Sequence, residues 1–507
     1  MLLIGASFTL VARADTGWDD AARTVPRVSA QAPDYRSIRE LKAALASAEE
    51  TARSLADGVR LRVAALDDRG PTLNAVLDLL PGPAAEPPAG PLTGLPVLLK
   101  ANIDTADGLP THAGSLALLS HRAATDAPLV TALRNAGAVI LGKTNLSEWA
   151  NFRGNRSSSG WSSVGGQTRN PHVLDRSPCG SSSGSAVAVA AGMVPAAIGT
   201  ETNGSIVCPA AVNGIVGYKP SIDRVDMRGV IPIASAQDVA GPFARSVYGA
   251  ALVGAAMLTD GAPLAAGLDR ATIDGLRNKR IGVWRQHAGA GSDERLERIL
   301  DSALEALATG GASVIDPLGY ALDSAINEAS YQVMLKQFAT ELPAYLRGTV
   351  NQPQSLAAVM QFNRRNADQV MPWFGQELFA EALAADKTMD AQALAAALTA
   401  GRDRLREELE ALFEEHSLDA VIALTDGLAW PIDVTGGDRF EIGSSSLAAI
   451  SGWPTLTLPA GAVHGLPVGV SLVTPLNQDA ALFRIAAALE ARLPPPVRPQ
   501  FVPTLIP

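Results

Sequence analysis

Serine and lysine, rather than histidine, carry the chemistry this chain can support. Ser205 closes the run Gly199-Thr-Glu-Thr-Asn-Gly-Ser205, whose small, turn-prone residues are too short of bulk to fill a core. Upstream lie the cluster Cys179-Gly-Ser181-Ser182-Ser183-Gly184-Ser185 and one lysine, Lys100, in the apolar run Leu95-Pro-Val-Leu-Leu-Lys100-Ala-Asn-Ile103. A serine hydroxyl has a high pKa and becomes a nucleophile only with a base beside it. Lysine can be that base when neutral, and burial among apolar groups favours the neutral form because desolvation penalises the charge. The apolar run gives Lys100 such surroundings, although a lysine ending an apolar strand more often snorkels to the surface. A second hydroxyl could then carry the proton between base and nucleophile. The 181–185 cluster offers one, against the plainer reading of a Ser/Gly loop. Thr202, Asn203, Gly204 and Ser205 could turn successive backbone N–H groups toward an oxyanion, with Asn203 and Gly204 able to take the unusual dihedrals of a tight turn. The set predicts an amide hydrolase.

Two shorter patterns are traps. Gly137-Ala-Val-Ile-Leu-Gly142-Lys143-Thr144 matches G-x-x-x-x-G-K-T, but a phosphate cradle needs a loop with free backbone N–H groups. Ala-Val-Ile-Leu reads as a strand, whose amides are committed to sheet pairing. Gly180-Ser181-Ser182-Ser183-Gly184 matches G-x-S-x-G, with Ser182 as the elbow. The segment before it is a poor strand, and no downstream histidine sits in an informative context.

Composition narrows the classes further. A net charge of −10 argues against a phosphate-binding surface, which would concentrate Lys and Arg, so no nucleic-acid partner is expected. Cys179 and Cys208 are too few for a disulfide framework, and no Cys or His spacing suits zinc. His112, His121, His172, His287, His416 and His464 are scattered singly and read as surface or packing residues. No metal and no cofactor is expected. Leu2 to Val11 is apolar and Ala12-Arg13-Ala14 fits an A-x-A cleavage site, but no basic n-region precedes it. A cleaved signal over 1–14 and a periplasmic or secreted protein are expected, with a cytoplasmic chain as the alternative. No segment reaches about 20 uninterrupted apolar residues, so stable membrane insertion is not expected.

The elements that must position these residues can be read from periodicity. Residues 36–68 read as one helix, with Ile38, Leu41, Leu45, Ala48, Ala52 and Leu55 at helical spacing. A Pro/Gly/Ala loop, 81–91, precedes a buried strand over 95–99. A helix over 126–135 and a central strand over 138–141 follow. Residues 151–185 are mostly loop, long enough to suggest function, and 186–192 suit a helix packed closely on a sheet. Strands at 279–284, 312–315, 420–424, 454–458 and 466–473, and helices at 294–308 and 478–492, complete an α/β fold around a mixed sheet. Residues 319–416 look like a helix-rich insertion over the body.

These blocks resemble the amidase signature family. They are Gly94-Leu-Pro-Val-Leu-Leu-Lys100-Ala-Asn-Ile103, Asp126 to Gly137, Leu141-Gly-Lys-Thr-Asn-Leu-Ser-Glu-Trp149, Gln167 to Pro171, Pro178-Cys-Gly-Ser-Ser-Ser-Gly-Ser185 and Gly199 to Pro209, in order. The resemblance runs from about Ile38 to Arg492. It implies a single domain over 15–507: a catalytic core at about 70–260, the insertion at about 319–416, and C-terminal strands and a helix over 417–492. It implies a Ser-cisSer-Lys triad with Ser205 as nucleophile, Ser181 as relay on a cis peptide bond, Lys100 as base, and the amides of Thr202, Asn203, Gly204 and Ser205 as oxyanion hole. A cis bond at that place is not readable from sequence. Asn145 to Phe152, Arg156 to Trp161, Arg176 to Gly184, Ile231 to Pro242 and Leu428 to Asp433 are most similar to the peptide amidase branch. That branch implies removal of the C-terminal amide of peptides with release of ammonia.

Three positions depart from the family. Ala101 replaces a common Asp, Ser183 and Cys179 stand where many relatives have Gly, and Asn203 occupies a position usually Gly or Asp. A change at Asn203 could tilt an oxyanion amide. Aryl-acylamide and aliphatic or fatty amide substrates remain alternatives. So do the A-type subunit of a tRNA-dependent amidotransferase and a degenerate binding protein that has kept the pocket.

Overall fold

Apolar runs with no polar alternation become strands covered on both faces. The runs holding Lys100, Lys143 and Thr200 do so here: Pro96–Lys100, Val139–Thr144 and Ala196–Glu201 are buried at every position. In the computed structural model, which describes residues 32–83, 85–285, 293–349, 352–440 and 443–505, they are neighbours in one mixed sheet of eleven strands. Pro96–Lys100 pairs in parallel with both of the others. Ala196–Glu201 then pairs antiparallel with Val239–Ala244. The sheet continues through Val216–Lys219, Thr455–Val463, Leu466–Val473 and Ala420–Leu424 to Arg280–Val283 and Ser313–Ile315. The architecture is a large mixed sheet flanked by helices, the α/β arrangement expected. The 1–14 segment lies outside the described residues.

Parallel pairing brings the carboxyl ends of Pro96–Lys100 and Ala196–Glu201 to one edge, where open α/β sheets bind ligands. Lys100 ends one strand; Thr200 and Glu201 end the other, immediately before the 202–205 turn. Ser183–Ala190, all small and all buried, packs between the strands and the turn. The P-loop string is a strand, since Val139–Thr144 pairs on both sides. The buried Lys143 amine donates to the Ile103 carbonyl rather than facing a phosphate site.

One expected element breaks in two. The 36–68 helix is two, Ile38–Ala46 and Ala52–Leu66. Ala48 takes φ 60°, and Thr51 caps the second helix through a reciprocal hydrogen-bond pair with Ser54. The capping box outweighs continuous apolar spacing. Elsewhere the helix over 479–490, the strand over 420–424 and the helix over 294–309 lie where periodicity puts them.

Residues 324–416 form successive helices, the longest being Ser324–Leu346. They are joined to the body by an apolar cluster in which Phe338 stacks on Phe379 at 5.4 Å between ring centroids, while Trp149 and Phe152 meet those two rings edge-on. Beneath it the buried Arg153 pairs with Glu148 at 2.7 Å and donates to the carbonyls of Val370 and Phe374. These links hold the helical layer over the sheet edge that carries the serines.

Candidate active site

Lys100 is fully buried, and its Nζ lies 2.7 Å from Ser181 Oγ, 3.0 Å from Ser182 Oγ, 2.8 Å from Thr200 Oγ1 and 3.2 Å from the Thr200 carbonyl. Burial pushes its pKa down to about 7, against the opposite pull of the Asp238 and Glu201 carboxylates. A neutral amine has two N–H donors and one lone pair. Ser182 Oγ already donates to the Thr200 carbonyl at 3.0 Å, so it accepts from the amine, as Thr200 can; the lone pair is left for the Ser181 hydroxyl. Desolvation is what favours this neutral state.

Ser181 follows a cis peptide bond from Gly180. A Cβ on Gly180 would come within 2.2 Å of Ser147 Oγ and displace that hydroxyl from Gly160 N, from which it accepts. Cys179 lies at φ 55°, in the left-handed region that favours glycine. Cys179 and Cys208 are joined in a disulfide. Two cysteines do not make a framework, but these two make one bridge from the Ser181 loop to the helix Val207–Val212, which their separation in sequence does not announce.

Ser205 lines a cavity of about 380 Å³ together with Gly180, Phe152, Ile233, Trp430 and Phe440. Among the described residues its Oγ makes no hydrogen bond, which leaves it open to the cavity, and its carbonyl accepts from Ser182 N. Around it the turn is held from several sides. Glu201 accepts the N–H groups of Ile206 at 2.6 Å and Val207 at 3.0 Å. Thr202 donates its hydroxyl to Asp238 at 2.5 Å, and its carbonyl accepts from Gln237. The Gln237 amide oxygen accepts in turn from Ser330 in the helical layer. Asp238, pushed up to about 7 by burial, also accepts from the N–H groups of Ile233 and Ala234. Gly204 takes φ 86°. Asn203 does not adopt a left-handed conformation. Its side chain instead accepts from Ser445 Oγ at 2.6 Å and donates to Ser446 Oγ at 3.2 Å. With the side chains so engaged, the backbone N–H groups of Thr202, Asn203, Gly204 and Ser205 make no hydrogen bond among the described residues. Such groups can serve a developing oxyanion.

The fold therefore brings Lys100 and Ser181 into direct contact and sets Ser205 at the cavity beside the 202–205 amides. Ser182 is no elbow nucleophile: it is fully buried, with its hydroxyl committed to Lys100 and Thr200. Sequence reading missed Thr200, Asn102, Glu201 and Asp238 as site residues. Glu201 and Thr200 lie within the motif run itself, and Asn102 follows Lys100 by two residues, donating to Thr200 Oγ1 at 3.1 Å. Asp238 had no local signal. Of the histidines, His112 and His172 are buried and held neutral by desolvation, down to about 3 and about 4. His287 lies outside the described residues.

Comparison with known proteins gives this geometry a context. The family model Amidase matches residues 80–483. A probable amidase of Arabidopsis thaliana is 38% identical over 419 residues, covering 79% of this chain and 76% of the relative. The A-type subunit of glutamyl-tRNA(Gln) amidotransferase from Salinispora tropica is 31% identical over 497 residues, covering 90% of this chain and 97% of its own. Among solved structures, the native peptide amidase of Stenotrophomonas maltophilia superposes with a TM-score of 0.84 at 40% identity, covering 92% of this chain and 99% of that one.

Proposed function

Because the chain belongs to the amidase family and is an amide-hydrolysing enzyme, we propose that it removes the C-terminal amide of peptides through an acyl-enzyme on Ser205. The observation that carries the mechanism is the 2.7 Å contact between the buried Lys100 amine and Ser181. In this reading the neutral amine takes the Ser181 proton while Ser181 Oγ takes that of Ser205. Ser205 Oγ then attacks the amide carbon, and the resulting oxyanion is met by the N–H groups of the 202–205 turn. On collapse the C–N bond breaks, the nitrogen takes its proton from Ser181, and Lys100 returns one to Ser181. Ammonia leaves, and water adds to the ester by the same relay to release the carboxylate.

Likeness to peptide amidase supports the peptide class. So does a cavity lined by Phe152, Ile233, Met334, Trp430 and Phe440, which offers apolar walls to an extended peptide end. The test is turnover by the purified chain on peptide amides, aryl amides and aliphatic amides. Peptide amides should give the highest kcat/KM, and Ser205→Ala should lower it by about 10⁴-fold or more, the scale of losing a triad nucleophile. Hydrolysis only in the presence of a tRNA-binding partner would favour the amidotransferase reading instead. Failure of Ser205 to react with a fluorophosphonate would favour the binding protein.

We also propose that the protein works in an oxidising compartment, periplasmic or extracellular. Disulfides persist in such surroundings and are rare in the reducing cytosol. Titration of free thiols in protein taken directly from cells should find none; two reactive thiols would place it in the cytoplasm.

A further inference from the structure

A second, smaller cavity adjoins Ser181 and shares Ala150, Thr202 and Ile233 with the cavity that Ser205 lines. Its walls include Ser181, Thr200, Asn102 and Ile231, and its volume, about 10 Å³, is room for one water-sized molecule. The cavity is polar where it meets the triad. Asn102 is almost wholly buried, and while its Nδ2 bonds Thr200, its Oδ1 has no partner. A buried acceptor without a donor is uncommon and points to a molecule that fills the space. On the far side, Met227, Val230 and Asp238 line both this chamber and an outer basin of about 490 Å³. The Met227 and Val230 side chains are thus the apolar partition between the two. Backbone hydrogen bonds hold that partition in place, from Ile231 N to the Asn102 carbonyl at 2.9 Å and from Asp104 N to the Gly229 carbonyl at 2.8 Å.

We propose that this chamber is the leaving-group pocket, and that its size restricts the enzyme to unsubstituted amides. Ser181 protonates the departing nitrogen, so that nitrogen must sit on the Ser181 side of the carbonyl as the C–N bond breaks. Ammonia fits the space beside Ser181 and can donate an N–H to Asn102 Oδ1; the water that later adds to the ester occupies the same place. An N-methyl group would meet Met227 and Val230, and an anilide ring far exceeds the space. The proposal rests on the acyl-enzyme reading above but not on the peptide nature of the acyl chain. It places specificity for the leaving group in Asn102, Met227 and Val230, apart from the cavity that receives the acyl chain.

The test compares kcat/KM for a primary amide with that for its N-methylamide, in a peptide series and in a simple aliphatic acyl series. In the wild type the N-methylamide should be slower by about 10- to 200-fold, the scale on which a pocket discriminates one methyl group. Met227→Ala and Val230→Ala, made separately, should each raise the ratio of N-methylamide to primary-amide kcat/KM by about tenfold. Because the readout is a ratio, loss of active enzyme through poor folding cancels. Comparable rates on both amides in the wild type, or an unchanged ratio in both variants, would overturn the proposal. Turnover confined to the aliphatic series would overturn the peptide assignment, while the same ratios in that series would still decide the chamber.

Discussion

Cys179 and Cys208 tie the loop that carries Ser181 to the helix that follows the Ser205 turn, and both line the cavity that Ser205 faces. Twenty-nine residues separate them, so the bridge closes a loop that contains both serines. Cross-linking a loop of that length stabilises by about 3–4 kcal/mol in the chain-entropy account. Cys208→Ala should therefore lower the midpoint of denaturant unfolding and lower kcat, and dithiothreitol should do the same to the wild type. Equal midpoints with and without reductant would show that the bridge does not constrain the fold.

In the proposed mechanism Lys100 sets the pH dependence. Its pKa is depressed to about 7 and the neutral form is the base, so kcat/KM should rise with pH through about 7 and level above it. The stability linkage has a matching sign. An unfolded lysine keeps its proton to much higher pH, so between about 7 and the ordinary lysine range the unfolded state binds more protons and stability gains as pH rises. Relative to Lys100→Met, the wild type should gain stability over that window in urea unfolding. A difference that does not vary with pH would mean that Lys100 stays charged in the fold.

Glu201 has two separable effects. Its Oε2 holds the N–H groups of Ile206 and Val207, and its charge favours protonated Lys100. Glu201→Gln keeps an acceptor oxygen but removes the charge. It should retain most of kcat while moving the acid limb of the pH profile to lower pH. Glu201→Ala loses the acceptor and should cost about 100-fold in kcat, the scale of a misplaced oxyanion donor. A Gln variant as impaired as the Ala variant would assign the effect to charge rather than to the turn.

Asn203 is tied to Ser445 and Ser446, which fixes the amide preceding Gly204. Asp at this position can accept from both serine hydroxyls, so Asn203→Asp should stay within a few-fold of the wild type. Asn203→Ala releases the turn and should lower kcat about tenfold with little change in KM, part of what a whole oxyanion donor supplies. A rise in KM alone would show that Asn203 contacts substrate instead.

The Glu148–Arg153 pair lies beneath the helical layer with no exposed side-chain surface. Breaking a buried pair from one side leaves an uncompensated charge, so Glu148→Ala should destabilise by about 3–5 kcal/mol. Thermal unfolding checks this, and a change under about 1 kcal/mol would show that water reaches Arg153 in the variant.

Much of this was legible along the chain because it depends on local pattern. Unbroken apolar runs made 95–99 and 138–141 interior strands; the small residues expected to form a helix over 186–192 do pack closely, but the helix is Ser183–Ala190, beginning within the serine cluster read as loop and ending before Gly192. The blocks around Lys100, Ser181 and Ser205 resembled one family in order, and they lie within the matched region. Where two local signals competed, as at Ala48 and Thr51, the capping box divided a helix that spacing alone ran together.

The sequence by itself determined which segments are buried and which residue types could make a nucleophile, a relay and a base. Only the tertiary structure decided which of them meet. Lys100 contacts Ser181 and Ser182 across more than eighty residues, and Asp238 reaches Thr202 across thirty-six. Asn102 shares Thr200 with the amine across ninety-eight. Hydrophobic period fixes whether a residue points inward, but strand register and the path of each connection fix its neighbour. Those are set by packing over the whole sheet rather than by any window of sequence.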